Sequence, residues 1–343
     1  SKQAYKKNQK KKKRTGLKVF LSFICVILVL VGGVMIYAST VLLGDLKTTT
    51  ITKDKTELGI SEETKSEAGI TNIALFGVDA RDYDGGTFAG RSDAIMVMSI
   101  DNVHHKVKLT SIMRDVRVYM GDGSPYDSGY DKLNHAYMYG GPEQAIRTIN
   151  QNFGLDIQDY VTVNFASMAK IVDAFGGVNI DLTEEEVEQV NINMRDLAAT
   201  SPDSMAGDVS TYAPLSAGEG VLLNGDEAVA YGRIRAIGND NGRVERQQEV
   251  LSALLSKASS ISKLEYPSII QQLAPLCETS LTFDKMIGLA QIALTGFDIE
   301  RLSIPSDVEG YASDYCEGGG WMWTYDTDVA AQHIHEFIYE DEN

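Results

Sequence analysis

The sequence predicts an α/β domain carried outside a membrane by one N-terminal transmembrane helix. Three observations predict it: an uncharged run of 26 residues behind a polybasic tail, three short apolar runs with strand periodicity, and helical patterns interleaved with further apolar runs downstream.

The tail comes first. Residues 1–18 hold nine of the 31 basic residues and no acid, whereas residues 19–44 (VFLSFICVILVLVGGVMIYASTVLLG) hold no charge at all. A bilayer core takes about 20 apolar residues as a helix, and the basic flank places the N-terminus in the cytoplasm. A cleaved signal peptide is the alternative, with small residues at Ala38-Ser39-Thr40, but its apolar core runs to only about 7–15 residues. The expected organisation is a cytoplasmic tail (1–18), a membrane helix (19–44), a polar stalk (45–69) and an extracellular domain (70–343) in the cell envelope. Beyond residue 44 lie 22 basic residues and all 48 acids, a formal charge of −26. Such a surface repels a phosphate backbone, so no nucleic-acid partner is expected. Cys277 and Cys316 fall outside the membrane; a disulfide and two free thiols are both open readings, and no metal-binding cysteine spacing exists.

Within the domain, Asn72–Val78, Ala94–Asp101 and Lys106–Met113 read as strands, with a hairpin turn at residues 102–105 between the last two. As an antiparallel meander they would gather Asp79, Arg91, Asp93, Arg114 and Asp115 at one sheet edge. Helices are expected over Pro142–Phe153, Ala166–Phe175 (stopped by Gly176-Gly177), Asn224–Tyr231, Gly242–Ser260, Phe283–Leu294 and Thr327–Tyr339. Strands are expected at Tyr160–Asn164, Val178–Leu182 and Asp298–Ser303, and residues 183–213 read as an irregular, acidic insert.

Arginine use points to the chemistry. Beyond the membrane run there are eleven arginines, and eight fall in two windows: Arg81, Arg91, Arg114 and Arg117, then Arg233, Arg235, Arg243 and Arg246. A guanidinium is a permanent cation whose planar fork matches phosphate oxygens, so an acidic domain that clusters it has an anion to hold. For any one arginine the plain alternative is a surface salt bridge. Asp79 and Asp93 would add two carboxylates, a set suited to Mg²⁺ shared with substrate phosphates.

The segments that carry these residues form an ordered series: NIALFGVD at 72–79 followed by Arg81, then GRSDAIMV at 90–97, SIMRDVRV at 111–118, DKLNHAYMYGG at 131–141, DAFGGVNIDL at 173–182, LNGDEAVAYGRIR at 223–235 and GRVERQ at 242–247. In this order they resemble the LytR-CpsA-Psr family over about residues 70–260. Met113 stands where the family often has Pro. The resemblance implies an α/β/α layered domain around a mixed sheet behind a membrane anchor. It implies transfer of a phosphoglycosyl polymer (teichoic acid, capsule or a similar glycan) from a polyprenyl-diphosphate carrier to a peptidoglycan hydroxyl, releasing polyprenyl phosphate. It also implies that Asp79 and Asp93 bind Mg²⁺ (or Mn²⁺), and that Arg91, Arg114, Arg233, Arg235 and Arg243 clamp the diphosphate. Lys132, Arg246 and Gln247 match motif positions, and Arg81 lies near substrate. Asp79 and Asp115 are the alternatives for the general base. Ile146, Ile149, Phe153, Met168, Ile171, Val172 and Phe175 line either a prenyl groove or simply the core, and core packing is the simpler reading. Histidines 135, 333 and 335 and the GGGWMW stretch at 318–323 are read as structural. Two rival functions share the same site: a non-catalytic envelope scaffold that binds lipid-linked polymer, and a diphosphatase with water as acceptor.

Overall fold

The computed structural model of the protein describes residues 47–78, 88, 90–104, 106–200, 214–238, 242–247, 249–250, 253–254, 276–282, 285, 298–315, 317 and 320–340. The expected membrane span, Asp79, Arg81, Cys316 and most of the helices expected over 242–260 and 283–294 lie outside these residues.

Among the described residues the centre is a seven-stranded mixed sheet. Its strands are β1 (Lys47–Thr48), β2 (Ile70–Val78), β3 (Ser92–Asp101), β4 (Lys106–Ile112), β7 (Asp159–Asn164), β10 (Cys277–Thr279) and β11 (Asp298–Ile304), in the order β1-β10-β7-β2-β3-β4-β11. Three hairpins accompany it: β5 (Arg117–Tyr119) with β6 (Tyr130–Lys132), β8 (Val178–Leu182) with β9 (Gly218–Leu223), and β12 (Ala312–Tyr315) with β13 (Trp321–Thr324). The expected meander is present, with β2, β3 and β4 antiparallel in succession. Its second turn closes because the Asp101 carboxylate accepts from the backbone N–H groups of Val103 and His104 at 2.8 and 2.9 Å, a local side-chain turn of the kind Asp favours.

Both faces of the sheet are buried, so its strands carry apolar residues on both sides. On β2, Ile73 faces one core and Ala74, Phe76 and Val78 face the other. The first core is closed by helices α2 (Phe165–Ala174), α3 (Glu184–Thr200) and α4 (Gly225–Gly232). The second is closed by α1 (Leu133–Phe153) and α5 (Thr327–Tyr339). Lys108, buried in β4, donates to the Ile338 carbonyl at 3.0 Å, placing a cation at the negative C-terminal end of α5.

Three expectations change. Residues 184–200 are helical, not irregular. Val190, Met194 and Leu197 are buried at helical spacing, and Thr183 opens the helix with a capping box, its backbone N–H donating to Glu186 at 3.1 Å and its hydroxyl accepting from the Glu186 N–H at 3.2 Å. Helix α1 begins before Pro142, at Leu133, and breaks at Gly140-Gly141, where Gly141 adopts φ 66°. The stretch expected to be an open stalk packs on the domain: β1 pairs with β10, and Ile51, Leu58 and Ile60 are buried among the residues of the second core. Cys277 is a free, buried thiol, and burial pushes its pKa up to about 12. The helix expected over Ala166–Phe175 and the strand over Tyr160–Asn164 appear within one residue of their expected bounds.

If residues 51–60 belong to the folded unit, Leu58→Ala destabilises it by about 2–5 kcal/mol, as other buried leucines do. Chemical denaturation measures this; a change under about 0.5 kcal/mol, the range of ordinary surface substitutions, would return the segment to a stalk.

Candidate functional site

The β3–β4 register assembles the site. Met96 lies opposite Ser111, so the same register carried three residues further sets Asp93 opposite Arg114. The side chains use that proximity. Arg114 Nη1 donates to Asp93 Oδ1 at 2.5 Å and Nε donates to Asp115 Oδ2 at 2.9 Å. Lys132 reaches the other oxygen of Asp115 at 3.2 Å. It gets there because β5 follows Asp115 and the β5–β6 hairpin returns Lys132 opposite Arg117.

Burial raises the pKa of the Asp115 carboxyl, but Arg114 and Lys132 together outweigh it, and the group ends below its usual value of 3.8. Burial likewise lowers the Arg114 pKa, and Asp93 and Asp115 more than reverse that. Asp115 is therefore a fixed carboxylate with both oxygens engaged. That arrangement orients an arginine and is poorly suited to taking up a proton.

Strand β11 runs parallel to β4 with Ile304 beside Ile112, so residues 305–307 leave the sheet next to Met113–Asp115. Buried Glu309 pins that exit by accepting from the Ser306 hydroxyl at 2.6 Å and meeting His333 Nδ1 at 2.6 Å. Hairpin β12–β13 then docks on the same segment, with the Trp323 N–H donating to the Asp115 carbonyl at 2.9 Å.

Between these parts is a cavity of about 300 Å³, lined by Asp93, Arg114, Asp115, Arg243 and Gln247 on one side and by Ser306, Asp307, Tyr311 and Trp323 on the other. A second cavity of about 200 Å³ lies beside it, between strands β2 and β7 and helices α2 and α4. Its walls are nearly all apolar, among them Leu75, Val161, Val163, Met168, Ile171 and Val229. Ala94, Met96 and Gln247 border both cavities.

Of the residues singled out in the sequence, Asp93, Arg114, Asp115, Arg243 and Gln247 meet at the first cavity, with Lys132 bonded to Asp115 behind it. Arg243 is 4% exposed and Gln247 donates to the Gly232 carbonyl at 3.3 Å. Arg246 is engaged elsewhere: it donates to Glu186 at 3.0 Å and to the Ile237 carbonyl at 2.9 Å, which holds the loop carrying Arg233 and Arg235. Arg233 caps the C-terminus of α4 and is half-buried, whereas Arg235 and Arg91 are exposed. Arg117 stacks on Tyr130, 3.5 Å from the ring centroid. Among the described residues there is no group of three or more His, Cys, Asp or Glu that could hold a metal ion. Asp93 is the described carboxylate of the expected pair, and it lines the cavity.

Met168 and Ile171 line the apolar cavity, whereas Ile146, Ile149 and Phe153 pack in the core on the opposite face of the sheet. His135 bonds Asp131 at 2.9 Å, and His335 bonds the carbonyls of Phe153 and Gly154 at 3.0 and 3.1 Å. Ser306, Asp307, Tyr311 and Trp323 were not foreseen at the site. The available signal was the pair of tryptophans at 321 and 323, the only two in the chain.

The domain is mixed α/β, with an arginine–carboxylate cavity beside an apolar one. The chain belongs to the LytR_cpsA_psr family, whose model matches residues 35–337. It is 28% identical over 316 residues to the polyisoprenyl-teichoic acid–peptidoglycan teichoic acid transferase TagU of Bacillus mycoides, covering 90% of this chain and 91% of that protein. It is 26% identical over 313 residues to the transferase TagT of Bacillus subtilis, covering 87% and 91%. The fold matches the LytR-CPS2A-psr family protein YwtF (TagT) with bound octaprenyl pyrophosphate lipid, at a TM-score of 0.57 and 20% identity over 84% of this chain and 99% of that one.

The lowered pKa of Asp115 makes a pH prediction. A carboxylate whose folded pKa lies below its unfolded value contributes stability that is full above the unfolded pKa, about 4, and lost as pH falls through the folded one. Urea denaturation of wild type and Asp115→Asn should show wild type more stable at pH 7 and the gap shrinking below about pH 4. A gap independent of pH would mean that Asp115 is not held as a buried carboxylate.

Proposed function

We propose that this protein is a cell-envelope phosphotransferase that moves a phosphoglycosyl polymer from a polyprenyl-diphosphate carrier to a peptidoglycan hydroxyl. The observation that carries this reading is the pairing of the two cavities. A prenyl diphosphate is an apolar chain ending in two phosphates, and Arg114 and Arg243 border a polar cavity that shares Ala94, Met96 and Gln247 with an apolar one. The names of TagU and TagT describe transfer of teichoic acid from a polyisoprenyl carrier to peptidoglycan, and TagT has been captured with octaprenyl pyrophosphate.

The residues divide the work. Arg114 and Arg243 neutralise the diphosphate, and preorganised charge of this kind is usually the largest catalytic contribution. Asp93 and Asp115 hold Arg114 in one orientation, with Lys132 fixing Asp115, so its charge need not reorganise as the reaction proceeds. The apolar cavity seats the prenyl chain and keeps water from the leaving group. Arg91 and Arg235 are exposed and add positive charge that attracts the anionic carrier. Asp93 fits a Mg²⁺ site, because this ion is commonly held by one or two carboxylates plus substrate phosphate oxygens; Asp79 is the second expected ligand. When bound, the ion would polarise phosphoryl oxygens and draw charge from the leaving phosphate. The basic tail and the uncharged run over 19–44 support an anchored enzyme whose domain works on the outer face of the membrane, where carrier lipid and peptidoglycan meet.

The test is to incubate the full chain in detergent with Mg²⁺, a short polyprenyl-diphosphate-glycan and peptidoglycan fragments, and to follow products by mass spectrometry. A glycan–phosphate–peptidoglycan adduct is expected, falling at least about 100-fold in Asp93→Ala and Arg114→Ala. Glycan phosphate alone would make the protein a diphosphatase, and binding without products a scaffold.

A further inference from the structure

The polar cavity has a wall that the phosphate and lipid do not account for. Trp321 and Trp323 lie two apart on β13, on the face opposite Met322, which is 4% exposed. The hairpin thus turns a methionine inward and leaves both tryptophans half-buried, although Trp buries more apolar area than Met. Register places Tyr315, which is 69% exposed, opposite Trp321 on the same face. Tyr311 meets Trp323 edge-on at 5.1 Å, and the two tryptophan rings are 4.6 Å apart. The result is a strip of aromatic rings running from the open surface at Tyr315 to the cavity at Trp323, where Asp307 adds acceptors. Aromatic faces beside hydroxyl-bonding groups suit the C–H face and hydroxyls of a sugar ring, because the ring quadrupole attracts those hydrogens.

The sheet order decides which sugar. The apolar cavity is built on β7, β2 and β3, whereas the aromatic wall follows β4 and β11, with Arg114 and Asp93 between them. In phosphoryl transfer the attacking and leaving oxygens lie roughly in line through phosphorus. A prenyl phosphate leaving toward the apolar cavity therefore requires the attacking hydroxyl to arrive from the aromatic side. The donor glycan stays on phosphorus, off that axis.

We propose that Trp323, Tyr311 and Trp321, with Asp307, form the subsite for the acceptor glycan strand. This rests on the transferase reading above. In the step so placed, an acceptor hydroxyl oxygen bonds to the glycan-bearing phosphorus as the phosphorus–oxygen bond to prenyl phosphate breaks. The hydroxyl proton goes to a base, and the bond electrons leave with the prenyl phosphate.

Because both tryptophans of the chain lie in this strip, intrinsic tryptophan fluorescence reports on it without labels. The full chain in detergent is titrated with a β-1,4-linked N-acetylhexosamine oligosaccharide from peptidoglycan, and separately with prenyl diphosphate bearing no sugar. A saturable emission change with the oligosaccharide and none with the lipid is expected. In the transfer assay, Trp323→Ala should raise the acceptor KM about tenfold, the size of one lost stacking contact, while donor affinity is unchanged. Trp323→Phe and Tyr311→Ala should have intermediate effects. No emission change with the oligosaccharide, or an emission change with the sugar-free lipid alone, would overturn the assignment. Because the titration needs no turnover, oligosaccharide binding in a protein that fails to transfer would disprove the transferase reading and leave a glycan site standing.

Discussion

Everything at the site depends on one ion pair, Asp93 with Arg114, set by the register of two antiparallel strands. Shifting that register by one residue would turn every side chain of β4 to the other face, so the buried layers on both sides of the sheet fix the pair as firmly as they fix the core. Arg114 is only 16% exposed in its side chain. A charge so placed costs several kcal/mol unless it is paired, and Asp93 and Asp115 supply the pairing. A guanidinium has five N–H donors, and these contacts use Nε and Nη1. The carboxylates thus hold the plane of the group while its other edge can meet an anion.

The mixed sheet explains why a polar and an apolar cavity lie side by side. Strands β2, β3 and β4 alternate in direction, which sends the Asp93 and Arg114 ends to one edge. Strands β7 and β11 are added parallel to β2 and β4 respectively, so the segments that follow them open at that same edge. One addition contributes α2 and the apolar wall, and the other contributes residues 305–307 and the hairpin bearing the tryptophans. The apolar cavity, the Asp93–Arg114 pair and the aromatic hairpin are in this way separated along the sheet by strand order.

Much of this was legible locally. Period-two alternation in Lys106–Ile112 and the apolar run before Asp79 were enough to place the meander, and with it the meeting of Asp93, Arg114 and Asp115. The helix end at Gly176-Gly177 was legible, whereas Pro142, read as a helix start, lies inside a helix that begins at Leu133. The helix Glu184–Thr200 was missed although Thr183 and Glu186 spell its capping box. Its exposed face is so acidic that the spacing of Val190, Met194 and Leu197 was read as part of a polar insert. Arg246 showed the opposite problem: its place beside Arg243 suggested a shared ligand, but at three residues' separation its side chain reaches Glu186 and the 234–237 loop. The aromatic wall was not legible, because it depends on β11 pairing with β4 across some 190 residues, and parallel pairing leaves no turn signal in the sequence.

The most direct test of this account is a crystal structure of the protein with a prenyl diphosphate bound. The account predicts phosphate oxygens within hydrogen-bonding distance of Arg114 and Arg243, with the prenyl chain running between Val161, Met168 and Val229. A diphosphate at the exposed arginines with the chain outside the β2–β7 cavity would contradict it.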